Sequence, residues 1–251
     1  MLFLFDVDGT LTPSRKKIDY KFSIFLSNFF LNYDCYIVTG SDKPRTVEQL
    51  GQVYNLAHMS FQCSGNQIWK GDELIRESEW TCPDDLRALL EEHVIKSNFS
   101  VNYRTGFHIE ERPGSINFSI LGRKSSYRGR QEYIFWDEAT EERERIALDI
   151  TNRFPEISAV VGGETGIDIF PKNKDKQQVL DYLPKDQEIM FFGDKMNING
   201  NDYSLSKVIE NTKRGKSHHV SGWENTRDIL QQIYSEAVEQ DSRLRNRPGI
   251  I

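Results

Sequence analysis

The chain has 251 residues, is 37% hydrophobic and 28% charged, and carries a formal net charge of −6. That length and apolar content can fill one large or two modest cores and exclude a compositionally disordered chain. The acidic balance excludes a general nucleic-acid binder, and no apolar run approaches the roughly 18 residues of a membrane span.

The first predicted element is a buried strand, Leu2 to Phe5, which leaves no room before it for an N-terminal signal. It delivers two carboxylates, Asp6 and Asp8, to the end of a sheet, where acids one residue apart can both address the crevice beyond it. Gly9 permits a tight turn, and Thr10 offers a hydroxyl and an N–H to an anion. Residues 19–31 repeat apolar side chains (Ile18, Phe22, Phe25, Leu26, Phe29, Phe30) with helical spacing. The stretch from Asp34 to Asp42 reads as a second short strand ending in the small hydroxylated residues of Thr39-Gly40-Ser41-Asp42. Its hydroxyls can donate to a phosphoryl oxygen, or Ser41 and Asp42 can simply cap the following helix. Cys35 reads as a core residue of this strand. With Cys63 and Cys82 it forms no metal-ligand spacing and no even set, which suits a reducing, cytoplasmic compartment. Residues 59–80 alternate around Lys70-Gly71-Asp72, a hairpin turn.

From Thr81 to Pro171 the pattern changes. A helix over 83–96 is followed by strands over 100–104, 107–111 and 115–121, a polar amphipathic helix over 140–154, and strands over 157–161 and 166–170. Without regular βα alternation this reads as an α+β module (81–171) inserted into a discontinuous parallel-sheet domain (1–80 and 172–251). Arg112, Arg123 and Arg130 in this module are either a guanidinium set for a phosphate dianion or ordinary surface charges. The parallel domain resumes near Lys176, and a buried strand, Glu188 to Phe192, ends in Gly193-Asp194, with Asp202 soon after. Two further acids at a strand end supply hard oxygen ligands for Mg2+, with Asp194 placed to ligate directly and Asp202 to ligate or to orient a metal-bound water. His218 and His219 read as loop residues before a last helix over 227–237, and the charged tail from Asp241 reads as frayed.

The opening run DVDGTLTPSR, residues 6–15, resembles the haloacid dehalogenase (HAD) superfamily of phosphoryl-transfer enzymes, and within it the eukaryotic-type phosphomannomutases. The likeness covers roughly residues 2 to 236, with motifs in the family order. The family's GGSD and EQLG appear here as TGSD (39–42) and EQLG (48–51), FFGDK…GGND appears with Asn199 for the first glycine of the pair, and WDK appears without its Trp before Asp175-Lys176. The run Arg112 to Arg123 resembles FRNGMLNVSPIGR, with Pro113, Ser115 and Ile120 differing. Gly162 to Pro171 resembles GG…SFDVFP, with Gly166 where the family has a sugar-contacting Ser, and Ser64-Gly65-Asn66 lacks the acid of the usual ENG.

The resemblance implies an α/β fold: a Rossmann-like parallel-sheet HAD core with an inserted α+β cap of the C2 type. It implies Asp6 as nucleophile, Asp8 as general acid/base, Thr39 and Ser41 on the phosphoryl group, and Lys176 neutralising the charge beside Asp6. Mg2+ would be held by Asp6, a carbonyl near Asp8, Asp194 and Asp202. Arg15, Arg112, Arg123 and Arg130 would hold the sugar phosphate not being transferred, and Asp168 the sugar. The implied reaction interconverts mannose 6-phosphate and mannose 1-phosphate through an aspartyl-phosphate, with a hexose 1,6-bisphosphate as activator. The implied partners are a small-molecule hexose phosphate and a second copy docked through the cap, with neither nucleic acid nor membrane. A Mg2+-dependent sugar-phosphate phosphatase would use the same aspartates. A non-catalytic domain would be expected to have lost one of Asp6, Asp8, Lys176 and Asp194, which are all present.

Overall fold

The computed structural model describes residues 1–198 and 200–245, with side-chain surroundings to residue 237. Part of the charged tail therefore lies outside the described residues. The first sheet has seven strands in the order β11-β10-β1-β2-β3-β4-β5. These are β1 (Leu2–Phe5), β2 (Asp34–Val38), β3 (Met59–Gln62), β4 (Gln67–Lys70), β5 (Glu73–Glu77), β10 (Ile189–Gly193) and β11 (Gly215–His219). The five strands from β11 to β3 are parallel, and β4 and β5 extend the sheet as antiparallel hairpin strands.

Every residue of β1 is buried, as a central strand covered on both faces requires. Phe3 and Phe5 pack on one face against α1 (Tyr20–Asn32) and α7 (Trp223–Arg245), through Phe22, Leu26, Phe29 and Leu230. Leu2 and Leu4 pack on the other against Val179, Leu205 and Ile209, the last two from α6 (Tyr203–Asn211). Asp19 caps α1 by accepting from Phe22 N at 3.0 Å, and Asp42 caps α2 (Lys43–Leu50) by accepting from Arg45 N at 3.1 Å.

The second sheet is antiparallel, ordered β6-β7-β9-β8, from β6 (Ile109–Arg112), β7 (Ser115–Phe118), β8 (Ile157–Gly162) and β9 (Gly166–Pro171). Its core, with Phe118, Ile146 and Ile150, is covered by α3 (Asp84–Lys96), α4 (Tyr127–Thr140) and α5 (Glu142–Arg153). The fold is the α/β arrangement expected, a parallel-sheet core with an α+β cap.

Four local expectations are corrected. Residues 100–104 are not a strand: a 3-10 turn over Val101–Tyr103 is tied down by Arg104, whose guanidinium donates to the carbonyls of Val94, Ser97 and Phe99. The polar helix does not begin at Thr140, because Glu141 takes a left-handed backbone (φ 53) there and separates α4 from α5. His218 and His219 belong to edge strand β11, and the last helix starts earlier, at Trp223. Among the described residues no helix is long and apolar enough to cross a membrane.

Candidate active site

The carboxyl ends of the adjacent strands β1 and β10 place Asp6 and Asp194 side by side, and the start of α6 brings Asp202 to them. One carboxylate oxygen from each of the three lies within 4.8 Å of the others. Lys176, fully buried at the start of a 3-10 helix (Lys176–Asp181), donates to Asp6 Oδ1 at 2.5 Å and to Asp202 Oδ1 at 2.6 Å. Asp202 Oδ2 accepts from the Lys195 N–H at 3.1 Å, so both of its oxygens are engaged. Asp194, by contrast, accepts no side-chain hydrogen bond among the described residues.

These charges do not cancel: three carboxylates face the Lys176 ammonium, with the charge of Lys195 acting on Asp194 as well. Burial pushes the Asp6 carboxyl up to about 7 despite the opposing charge of Lys176, with the charges of Asp202 and Asp194 adding to the rise. Burial likewise raises Asp194. For Lys176, burial acts to lower the pKa, but the charges of Asp202 and Asp6 outweigh it and hold the ammonium above the ordinary lysine value. Gly9, at φ +80, lets the backbone pass so close to Asp194 that an added Cβ would stand 2.3 Å from its Oδ2. An all-oxygen donor set with surplus negative charge fits a hard divalent cation.

Asp8 is not part of this cluster. Its Oδ1 accepts from the Arg15 N–H at 2.6 Å and from Gln49 Nε2 at 2.9 Å, and its Oδ2 from Ser41 Oγ at 3.4 Å. Thr10 donates to Asp6 Oδ2 at 3.4 Å. Thr39 is buried and its Oγ1 accepts from the Ser41 N–H at 3.1 Å, which folds the loop after β2 back toward Asp8. Gln49 had no assigned role in the sequence, although it sits within the EQLG motif.

Of the remaining candidates, Arg112 and Asp168 lie on strands β6 and β9 of the cap sheet. Its register aligns Glu110, Asn117, Asp168 and Val160 in one row across the four strands. Asn117 donates to Asp168 Oδ1 at 2.6 Å and accepts from Arg123 at 2.6 Å, while Glu110 receives both Arg112, at 2.6 Å, and Arg123. Arg112 also lies 3.7 Å from Asp168. Burial works against ionisation of Glu110, but the two arginines hold its carboxyl below the usual range. Arg130, on α4, donates to Glu164 at 2.7 Å. The structure thus brings Arg112, Arg123 and Asp168 into one network and leaves Arg130 in a separate pair. Glu110, Asn117 and Glu164 are members that charge counting along the sequence could not single out.

The β6–β7 turn meets the core at Gly114, where an added Cβ would be 2.6 Å from Asn66 Oδ1. The charge of Arg112 also reaches Cys63, acting against the rise that burial imposes on that thiol.

The chain is similar to known proteins in both fold and sequence. Solved structures with the same fold include a Plasmodium falciparum IMP-nucleotidase (TM-score 0.60, 17% identity, 93% of this chain and 68% of that one). Another is a haloacid dehalogenase-like hydrolase from Bacteroides thetaiotaomicron (TM-score 0.60, 14% identity, 92% and 98%). Among curated sequences, the chain is 33% identical to a phosphomannomutase of Saccharomyces cerevisiae, covering 93% of this chain and 94% of that protein. It is 31% identical to phosphomannomutase 1 of Dictyostelium discoideum, over 92% and 95%. The profile described as eukaryotic phosphomannomutase matches residues 24–236. The chain belongs to the eukaryotic phosphomannomutase family.

Proposed function

We propose that the protein interconverts mannose 6-phosphate and mannose 1-phosphate by moving a phosphoryl group through Asp6. The observation that carries this reading is the buried Asp6 carboxylate, fixed by Lys176 beside Asp194 at the mouth of the parallel sheet. Asp6 attacks phosphorus in line: an Asp6 oxygen–phosphorus bond forms as the phosphorus–sugar oxygen bond breaks. Asp8 gives a proton to the leaving alkoxide and later takes one from the attacking sugar hydroxyl. Thr10, Thr39 and Ser41 supply hydroxyl and backbone donors for the phosphoryl oxygens, and the Lys176 ammonium offsets charge on the attacking side.

Asp6 and Asp194 with Asp202 beside them would hold Mg2+, together with a carbonyl near Asp8. When bound, the ion supplies Lewis-acid stabilisation of charge on the transferring group. Residues 81–171 act as the cap that sets specificity. There Arg112, Arg123 and Arg130, with Arg15 from the core, hold the distal phosphate, and Asp168 holds the sugar. A hexose 1,6-bisphosphate primes the cycle by phosphorylating Asp6, and a bisphosphate bound by the cap must then turn so that either phosphate can face Asp6.

A homodimer through the cap is supported by the family likeness and by Tyr127 and Phe135 of α4, which are 79% and 74% exposed. Three buried free cysteines support a reducing, cytoplasmic location. The test is to incubate the protein with Mg2+ and mannose 1-phosphate, with and without a trace of hexose 1,6-bisphosphate, following sugar phosphates and free phosphate together. Bisphosphate-dependent formation of mannose 6-phosphate with little free phosphate is the expected result. Steady phosphate release without isomerisation would overturn it and make the protein a sugar-phosphate phosphatase.

A further inference from the structure

The arginines of the cap are not waiting with open forks. Arg112, Arg123 and Arg130 are matched in charge by Glu110, Asp168 and Glu164, so the face offered to a phosphate is neutral before Arg15 is counted. One of these carboxylates is held differently from the other two. Glu110 is gripped by two guanidinium groups, and Asp168 is braced by the Asn117 amide, both on regular strands. Glu164 stands in the turn between β8 and β9 with its side chain 61% exposed, and among the described residues Arg130 is its one hydrogen-bond partner. Arg15, from the core loop that also supplies an N–H to Asp8, lies near enough to act on the same group. The Arg130 hydrogen bond, and after it the charges of Arg130 and Arg15, hold the Glu164 carboxyl below its ordinary range.

Resting on the reading of Arg130 as a phosphate-binding residue, we propose that Glu164 is a specificity-determining residue, a built-in carboxylate that occupies Arg130 until the distal phosphate of the substrate displaces it. The exchange is chemically favourable in one direction. A phosphate dianion offers a guanidinium fork more charge and more acceptor oxygens than a carboxylate does. An exposed ion pair is also weak enough to be opened by such a ligand. A sugar without a distal phosphate cannot make the exchange and leaves Arg130 capped. Once displaced, Glu164 remains a negative charge close to the bound phosphate and lowers its affinity. The residue therefore tunes the cap against weakly charged ligands at some cost in affinity for the right one.

The test is calorimetric titration of mannose 1-phosphate, without bisphosphate, into wild type, Glu164→Gln, Arg130→Gln and the double variant. Glu164→Ser serves as a second replacement, and thermal unfolding confirms folding of each. The expected result is about threefold to tenfold tighter binding by both Glu164 variants, and weaker binding by Arg130→Gln. In the Arg130→Gln background the gain from Glu164→Gln should fall below twofold. Unchanged or weaker binding by the Glu164 variants, alongside weakened Arg130→Gln, overturns the inference alone. A full gain in the Arg130→Gln background also overturns it, because Glu164 would then act as a general negative charge. If Arg130→Gln binds as wild type does, the assignment of the cap arginines to the distal phosphate is what falls.

Discussion

Lys176→Met tests the charge balance of the site directly. In the wild type the Lys176 ammonium is fully buried against two carboxylates that are themselves almost wholly buried, Asp6 at 4% and Asp202 at 0% side-chain exposure. Methionine fills similar volume without charge, so packing is largely kept while both carboxylates lose their shared cation. Breaking a buried ion pair from one side costs about 3–5 kcal/mol. Two acids lose their cation here, but the Asp6 carboxyl, already raised to about 7 with the lysine present, takes up a proton without it, so about 4 kcal/mol is expected at neutral pH without metal. For an m-value of about 3 kcal/mol per molar urea, that moves the unfolding midpoint down by about 1.3 M. The assay is urea unfolding followed by tryptophan fluorescence, in EDTA and again in excess Mg2+. Mg2+ should restore more stability to Lys176→Met than it adds to wild type, since the variant has a larger uncompensated negative charge. Adding Asp202→Asn to the variant should recover part of the loss, because it removes one of the stranded charges. A midpoint shift below about 0.3 M in EDTA would refute the reasoning, since the lysine would then not be carrying the charge of either aspartate.

Three further outcomes are expected. Gly9→Ala would place a Cβ 2.3 Å from Asp194 Oδ2 on a backbone at φ +80, so Mg2+ affinity, measured by titration calorimetry, should fall at least about tenfold. Gly166→Ser, which restores the family's residue, would not simply add a sugar contact. Its Cβ would meet Asn117 Nδ2 at 2.8 Å and displace the amide that links Asp168 to Arg123, lowering cap stability by about 1–3 kcal/mol in thermal unfolding. Burial pushes the Cys63 thiol up to about 12, with Arg112 opposing, so iodoacetamide at pH 8.5 should leave Cys63 unmodified in the native protein and label it in urea. The folded state keeps that proton longer than the unfolded chain, whose thiol titrates near 9.0. Stability from this group is therefore unchanged below that pH and declines as pH rises toward 12.

The chemical centre was legible because its information is local. Each of Asp6 and Asp194 follows directly on an apolar run that is a buried strand in the fold, and parallel strands deliver their carboxyl ends to one edge. The elements that escaped reading have weak periodicity for stated reasons. In α4 only Gly129, Tyr133 and Asp137 are buried, a stripe one residue wide per turn, two of whose members are not apolar. In β11 the sequence Gly-Lys-Ser-His-His has no apolar residue at all, because an edge strand gains its place from backbone pairing with β10. Arg104 made residues 100–104 into a turn through its side chain, which no alternation of hydrophobicity reports.

The cap site was legible only as a list of charges, and the reason lies in the sheet. Which acid neutralises which arginine is set by antiparallel register: Glu110 opposite Asn117, and Asn117 opposite Asp168. A slip of one residue would send each of these side chains to the other face and dissolve the network. The pairing of Arg130 with Glu164 spans 34 residues and depends on where α4 lies over the β8–β9 turn. Counting arginines along the chain therefore overstates the positive charge available to a phosphate, since the fold has already assigned each of the three cap arginines a carboxylate. On the proposed reading, the affinity of the cap for a sugar phosphate depends on the exchange of those partners, and Glu164, in the turn and held by a single arginine, is the one placed to exchange first.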